Sequence, residues 1–381
     1  VTSGPVPAAD AVPADDDKST DELPALSVQG RIAGVREALD GSAAAMVVTD
    51  LTGIRWCSGF SGSNAALFVG HDSAVLLTDG RYAEQAPAEL ESARSEATVE
   101  VVPDLAARAA ELAAACGAET LALEPETLSW AMQRRFAEHY DGELVPVEGL
   151  VAGLRSVKTS AELARMQRAA RIADDALAAC AEMIREGVSE RELALALDDE
   201  MRSLGASGPA YDTIVAGGPN SALPHARPGP RRFTDGDLVV IDVGAVVDGY
   251  RSDMTRTFTV GEPSEKAREI IRIVTEAQQL GVDTAAAGVE ARSVDTVCRD
   301  HIAERGYGEA FMHSTGHGVG LDIHEQPYVS HKAEAVLRAG NVITVEPGIY
   351  IAGFGGCRVE DMVAVTPSGC RSLSRFPKLA A

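Results

Sequence analysis

The sequence predicts two domains in succession, an α/β domain and then an α+β domain whose antiparallel sheet is covered by helices on one face. Three observations carry this. At 381 residues the chain is too long for one small core. Up to about residue 150 short apolar runs alternate with helical periods, whereas beyond it long helical periods give way to a strand-rich and glycine-rich end. Finally, Asp248-Gly249 stands between two β-branched runs, a strong hairpin signal because Gly accepts the positive φ such a turn demands.

In chain order, residues 1–25 are acidic and rich in Pro, Ala and Asp, the composition of a disordered leader. The first domain is assigned to residues 26–152. Its opening helix, Arg31 to Leu39, puts Ile32, Val35 and Leu39 on one face. Residues 45–49, 65–69 and 74–77 read as strands separated by Gly- and Ser-rich turns, followed by a strand over 99–102. Asp104 caps an Ala-rich helix that runs to Ala115; a strand over 121–123 and a helix over 128–140 complete the domain.

Residues 154–159 form the junction, and the second domain is assigned to 153–381. Thr159 or Ser160 caps a long helix with Glu162 placed as in a capping box, and Ser189 with Glu192 repeats the pattern before the helix over 193–204. A strand over 213–215 leads to the hairpin around Asp248-Gly249. Ser264 then opens a helix towards Ala287, and Ser293 another that ends near Arg305-Gly306. The remainder is strands and loops.

A formal net charge of −23 argues against nucleic acid and anionic membrane as partners and suits a protein that holds cations. The six cysteines form no C-x-x-C pair, which points to reduced thiols in a cytoplasmic protein. No apolar run reaches the length of a membrane span, and no secretory signal pattern is visible.

Chemistry concentrates in the hairpin. Asp242 lies in a buried apolar run, where an unpaired carboxylate is expensive. With a two-residue loop at Asp248-Gly249, Val247 pairs with Tyr250 and Gly244 with Asp253, so Asp242 and Asp253 share one face as diagonal neighbours. A three-residue loop would put Asp253 on the opposite face. Like charges held together in this way call for a cation between them. His317 lies between Gly316 and Gly318, Glu346 ends an apolar strand before Pro347-Gly348, and Glu360 follows Arg358-Val359. Taken singly, each glutamate reads as a solvated strand-end charge and His317 as a loop or buried structural histidine. Taken together, four carboxylates and a neutral imidazole balance two divalent ions that share bridging groups. Such ligation suits Mn, Co, Fe or Zn.

This order of residues, Asp242, Asp253, the T-G-H-G-V-G run around His317, V-E-P-G at Glu346 and R-V-E-D at Glu360, resembles the pita-bread metallopeptidases that include X-Pro aminopeptidase, prolidase and methionine aminopeptidase. The resemblance covers nearly everything after residue 26. In the first domain, residues 59–64 and Thr78-Asp79-Gly80-Arg81-Tyr82 resemble the creatinase/prolidase-like N-terminal domain of X-Pro peptidases. It implies that Asp242, Asp253, His317, Glu346 and Glu360 bind two metal ions, manganese first among them, with Asp253 and Glu360 bridging. It also implies that Glu346 shuttles a proton, that His225 and His324 face the substrate, and that Arg358 orients a ligand or substrate carboxylate. Tyr82, Trp56, His313 and His331 are expected in the core or on the surface.

The leading expectation is an Xaa-Pro aminopeptidase acting on proline-containing peptides as a homodimer. Its alternative is an Xaa-Pro dipeptidase (prolidase) of the same fold. A metal-free creatinase-like amidinohydrolase and a non-catalytic binding module are more remote, because the ligand set is complete and no domain is added.

Overall fold

The computed structural model describes residues 23–39 and 41–378. Up to residue 22 the expected leader lies outside the described residues. The chain divides into two compact units, Ala25–Arg155 and, from Ser156 onward, a second that also takes in Pro24. Leu23 and Pro24 do not behave as leader. Leu23 packs against a core cluster of the second unit, and Arg165 Nη1 donates to the Pro24 carbonyl at 2.9 Å.

The first unit is a six-stranded mixed sheet built from β1 (Ala45–Val48), β2 (Ala65–Val69), β3 (Ala74–Thr78), β4 (Thr98–Val101), β5 (Thr120–Leu123) and β6 (Glu143–Pro146), in the order β4-β3-β2-β1-β5-β6. Helices α1 (Arg31–Leu39), α2 (Leu51–Ser58), α3 (Gln85–Ser92), α4 (Leu105–Ala115), α5 (Trp130–His139) and α6 (Leu150–Arg155) accompany it. Asp104 caps α4 by accepting the Ala107 N–H, as expected. The helix α2 escapes a periodicity reading because Gly53, Cys57 and Ser58 lie among its buried positions, where an apolar stripe would otherwise show. The short α3 has no side-chain cap and carries Pro87 in its first turn.

In the second unit α7 (Ser160–Cys180) and α8 (Glu190–Ser203) both start in full capping boxes, at Thr159/Glu162 and Ser189/Glu192. They pack through Ile172, Leu177, Leu193 and Leu197 against Val239, Ile241 and Val243. The next sheet is β11-β8-β7, made of β7 (Ile214–Gly217), β8 (Leu238–Asp242) and β11 (Thr255–Thr259), with the two-stranded β9 (Val246–Val247) and β10 (Tyr250–Arg251) between β8 and β11. Helices α9 (Glu265–Thr284) and α10 (Ala291–Glu304) follow. Ser264 caps α9, but α10 is not opened by Ser293. The chain enters it at Glu290, which bridges Val336, while the Ala291 N–H donates to the Ala335 carbonyl, so a strand-like contact starts the helix where a cap was expected. A five-stranded sheet ordered β13-β12-β14-β17-β18 completes the unit, from β12 (Gly316–Gly318), β13 (Glu325–Val329), β14 (Val342–Val345), β17 (Asp361–Thr366) and β18 (Gly369–Ser372); β15 (Gly348–Ile351) and β16 (Gly355–Arg358) pair separately. Ile270, Val274, Val294 and Cys298 of α9 and α10 bury Ile343, Val345, Val363 and Val365. The C-terminal segment is held by Asp174, which accepts the N–H groups of Arg375 and Phe376.

Two hairpins determine where the functional side chains stand. In the first, Val247 pairs with Tyr250 and Asp242 with Thr255, so one register runs through both ladders and the turn has two residues. Asp248 and Gly249 take φ +48 and +86, the left-handed values of a tight hairpin turn. The expected strand from Tyr250 onward is interrupted at residues 252–254, which contain Asp253. In the second hairpin Val345 pairs with Asp361 and Gly348 with Arg358, and the same register sets Glu346 opposite Glu360 in the gap between ladders. Both hairpins break where the carboxylates sit.

Gly244 lies in the first gap, and a Cβ there would come within 2.1 Å of the Ser252 carbonyl oxygen. Gly244→Ala is expected to lower stability by about 1–3 kcal/mol through overpacking. Gly369→Ala, where a Cβ meets nothing within 4 Å, should leave the melting temperature nearly unchanged in the same thermal scans.

Candidate metal centre

The gaps in the ladders free backbone groups that must find other partners. The Glu346 N–H donates to Thr315, and the Glu360 N–H donates to Thr255. Each glutamate is thereby tied to another ligand-bearing segment, the first to that of His317 and the second to that of Asp253. His317 itself is on a central strand, not the tight loop its flanking glycines suggested. A Cβ on Gly316 would lie 2.0 Å from the Thr344 carbonyl, and one on Gly318 2.3 Å from that of Gln326. The glycines allow β12 to fit between β13 and β14.

Carboxylate oxygens of Asp242, Asp253 and Glu360 come within 4.8 Å of one another. His317 Nε2 lies 3.3 Å from Glu346 Oε1 and 3.6 Å from Asp253 Oδ2. The imidazole Nδ1 is 3.0 Å from the Gly318 carbonyl, which has only lone pairs to offer, so Nδ1 carries a proton and Nε2 points at the acids. All five expected ligands line one cavity of about 480 Å³, with His225, His324, Arg358, Tyr211 and His313.

Electrostatics show why a cation belongs there. Burial pushes the Asp253 carboxyl well above the usual range, reinforced by Asp242 and Glu346 and only partly offset by Tyr211 and Arg358. Burial does the same to Glu360, with Asp253, Glu346 and Asp242 adding to it. For Glu346 burial also acts upward, but the bond to His317 and its charge prevail and bring it to about 2. Opposing these four acids are Arg358 and, when protonated, His317. The deficit is the kind that divalent ions remove, and the set of oxygens with one imidazole fits Mn, Co, Fe or Zn.

Arg358 is 3% exposed, and its guanidinium is largely committed. Nε donates to Thr255 Oγ1, Nη1 to Tyr350 and the Pro224 carbonyl, and Nη2 to Asp242. Four of its five N–H donors are thus engaged, so it holds Asp242 in place and has only one donor left for the carboxylate it was expected to orient. His225 and His324 are exposed, and the His324 ring stands edge-on to His317 with centroids 4.3 Å apart.

Sequence reasoning missed Tyr211. Its hydroxyl reaches Asp242 Oδ1 and lies 2.6 Å from Asp253 Oδ1, and the space for its ring comes from Gly244, where a Cβ would be 3.0 Å from the ring. One hydroxyl proton cannot serve two ionised acids, which again marks a proton or cation as the missing partner. A tyrosine in an irregular segment carries no sequence signal of this kind. His313, expected in the core or on the surface, lines the cavity. Its Nδ1 faces the Ser314 carbonyl at 2.7 Å and its Nε2 the Tyr350 hydroxyl at 2.9 Å, and burial lowers its pKa. Trp56 is buried beneath the Arg31 guanidinium, Tyr82 bonds Ser63 in the first unit, and His331 is exposed outside the cavity lining.

The model of metallopeptidase family M24 matches residues 164–367, and that of the creatinase/prolidase N-terminal domain matches residues 31–157. An Xaa-Pro dipeptidase of Pyrococcus furiosus is 47% identical over 258 residues, covering 68% of this chain and 74% of the relative. A solved Xaa-Pro dipeptidase from Bacillus anthracis superposes with a TM-score of 0.89 at 38% identity, over 93% of this chain and 99% of that one. A solved X-Pro aminopeptidase from Thermotoga maritima gives 0.82 at 35% identity, over 90% of this chain and 99% of that one.

The raised carboxyls make a signed prediction. Without ions, Asp253 and Glu360 keep protons that the unfolded chain gives up near pH about 4. Stability of the ion-free protein should therefore fall as pH rises above that value. Ion uptake should release protons and tighten with pH, seen as calorimetric enthalpies that change with buffer ionisation heat. Asp253→Asn should remove most of the ion-induced rise in melting temperature.

Proposed function

The chain belongs to metallopeptidase family M24, a creatinase/prolidase N-terminal domain ahead of a pita-bread catalytic domain, and from that premise we propose that it is an Xaa-Pro dipeptidase. Membership makes it a metallo-exopeptidase that uses divalent metal ions. The proposal extends this to two ions, manganese first to be tested, held by Asp242, Asp253, His317, Glu346 and Glu360. The observation that carries it is the gathering of these five side chains in one cavity with His225 and His324 on its exposed side.

Dipeptide cleavage fits better than the aminopeptidase activity expected from the sequence. Two of the relatives described above are named Xaa-Pro dipeptidases and one an X-Pro aminopeptidase. The cavity also offers a cation suited to a dipeptide's free carboxylate. Arg227 lines it, is exposed, and among the described residues has no hydrogen-bond or ion-pair partner, in contrast to the committed Arg358.

When bound, divalent ions supply Lewis acidity and bring the pKa of a water towards neutrality. The chain's own residues do the rest in this reading. Glu346 accepts the water's proton and passes it to the leaving proline nitrogen. His225 and His324 donate to the scissile carbonyl as it gains negative charge. Tyr211 and Arg358 keep Asp242 and Asp253 in place, and Arg227 anchors the carboxylate. The thiols serve no step here. All six cysteines are free, which suits a reducing compartment such as the cytoplasm, and burial pushes Cys57, Cys298 and Cys357 up to about 12.

The test compares an X-Pro dipeptide with an X-Pro-Y tripeptide, before and after ion removal. The dipeptide should be preferred, and activity should vanish on chelation and return with Mn²⁺ or Co²⁺. Tripeptide preference would restore the aminopeptidase reading, and full activity in ion-free protein would sink both. Arg227→Met should raise KM for the dipeptide about tenfold with little change for the tripeptide. His225→Ala should lower kcat by about 10²–10³ while leaving ion content intact.

A further inference from the structure

Lys158 and Glu325 form an ion pair inside the second unit. Lys158 Nζ lies 2.5 Å from Glu325 Oε1, with the side chains 1% and 4% exposed. Lys158 Nζ also donates to the Ser156 carbonyl, and its backbone N–H donates to Gly340. It is therefore fixed from several sides at the start of the unit, one residue before the cap of α7. Glu325 opens β13 and directly follows His324. Its carboxylate rests against Gly320, where a Cβ would come within 2.5 Å of Oε1 and 2.8 Å of Oε2. Gly320 belongs to the short loop that leads from β12, with His317, to His324. The loop is also held by the Gly320 N–H donating to the Asp322 carbonyl, by the Arg251 N–H donating to that of Gly320 and by Arg251 Nε donating to that of Leu321, none of which touches the His324–Glu325 end.

A buried ion pair is a poor device for stability alone, since desolvating two charges offsets much of their attraction and apolar residues of similar size serve as well. Its distinctive property is that it fixes one geometry. Here the fixed object is the loop between two imidazoles whose rings meet edge-on at 85°. We infer that Lys158 and Glu325 are positioning residues, and that their pair sets the placement of His324 towards the scissile carbonyl and so governs turnover rather than ion or substrate binding. The inference rests on the peptidase reading.

Three variants test it, with kcat, KM, ion content and melting temperature measured for each. Lys158→Met leaves a buried carboxylate without its lysine and should lower the melting temperature. Lys158→Met/Glu325→Met removes both charges and should regain most of that loss. Its kcat should stay about ten- to a hundredfold below wild type, with KM and ion content within about twofold. If kcat recovers together with melting temperature, or if the loss follows lost ions, the inference is overturned. Glu325→Asp keeps both charges but draws the carboxylate back by one carbon. It should show a kcat defect at near-native melting temperature, so it decides the matter even if the double variant does not fold, and wild-type kcat there is equally fatal. A wild-type enzyme inactive on every X-Pro peptide would sink the dipeptidase reading itself, whereas an active one with unaffected variants sinks only the role of the pair.

Discussion

Mutual repulsion among Asp242, Asp253, Glu346 and Glu360 is the constraint around which the second unit is arranged. Brought together in water these groups would disperse; here the hairpins leave them no such freedom. What holds them is a set of donors spent on their outer oxygens and on their backbones. Arg358 takes one oxygen of Asp242, Tyr211 reaches the other and Asp253 as well, and Thr255 Oγ1 donates to Glu360. Behind them Arg256, 1% exposed, donates to the Glu360 carbonyl and the Asp361 carboxylate. Among the described residues one oxygen each of Glu346 and Glu360 is left without a donor, while carboxylate oxygens of Asp242, Asp253 and Glu360 stay within 4.8 Å of one another. A fold that supplied donors to those too would be more stable without ions and useless with them.

Much of this was legible in the sequence because it obeys short-range rules. The Asp248-Gly249 turn fixes a register, and the period of two then decides which face Asp242 and Asp253 share. Both capping boxes and the Asp104 and Ser264 caps depend on spacings of three residues, which any reader of the chain can see. The resemblance added what no local rule supplies, namely that residues from Asp242 to Glu360 belong to one site.

What stayed hidden was decided by partners far away in the chain. Tyr211 matters because Gly244 leaves room for its ring, and neither residue announces the other. His317 taken alone reads as either a loop residue or a buried structural histidine, because glycines more often mark turns than the middle of a sheet; only the nearness of Thr344 and Gln326 explains them. Ser293 had the chemistry of a cap, but the bridge from Glu290 to Val336 started the helix earlier. The choice between dipeptide and longer substrates was out of reach for a similar reason. In the proposed reading it turns on exposed side chains such as Arg227, whose setting depends on what does and does not approach it.

The interrupted ladders also bear on how long an ion stays. The backbone N–H of Glu346 is bonded to the segment of His317 and that of Glu360 to the segment of Asp253, so no single hairpin can fray without drawing one proposed ligand away from the others. For ions held as proposed, escape would then require the same sub-global opening that exposes those amides to solvent. Ion residence time and amide hydrogen exchange at Glu346 and Glu360 become two clocks set by one motion. Slowing that motion would lengthen the working life of a loaded molecule without altering a single ligand.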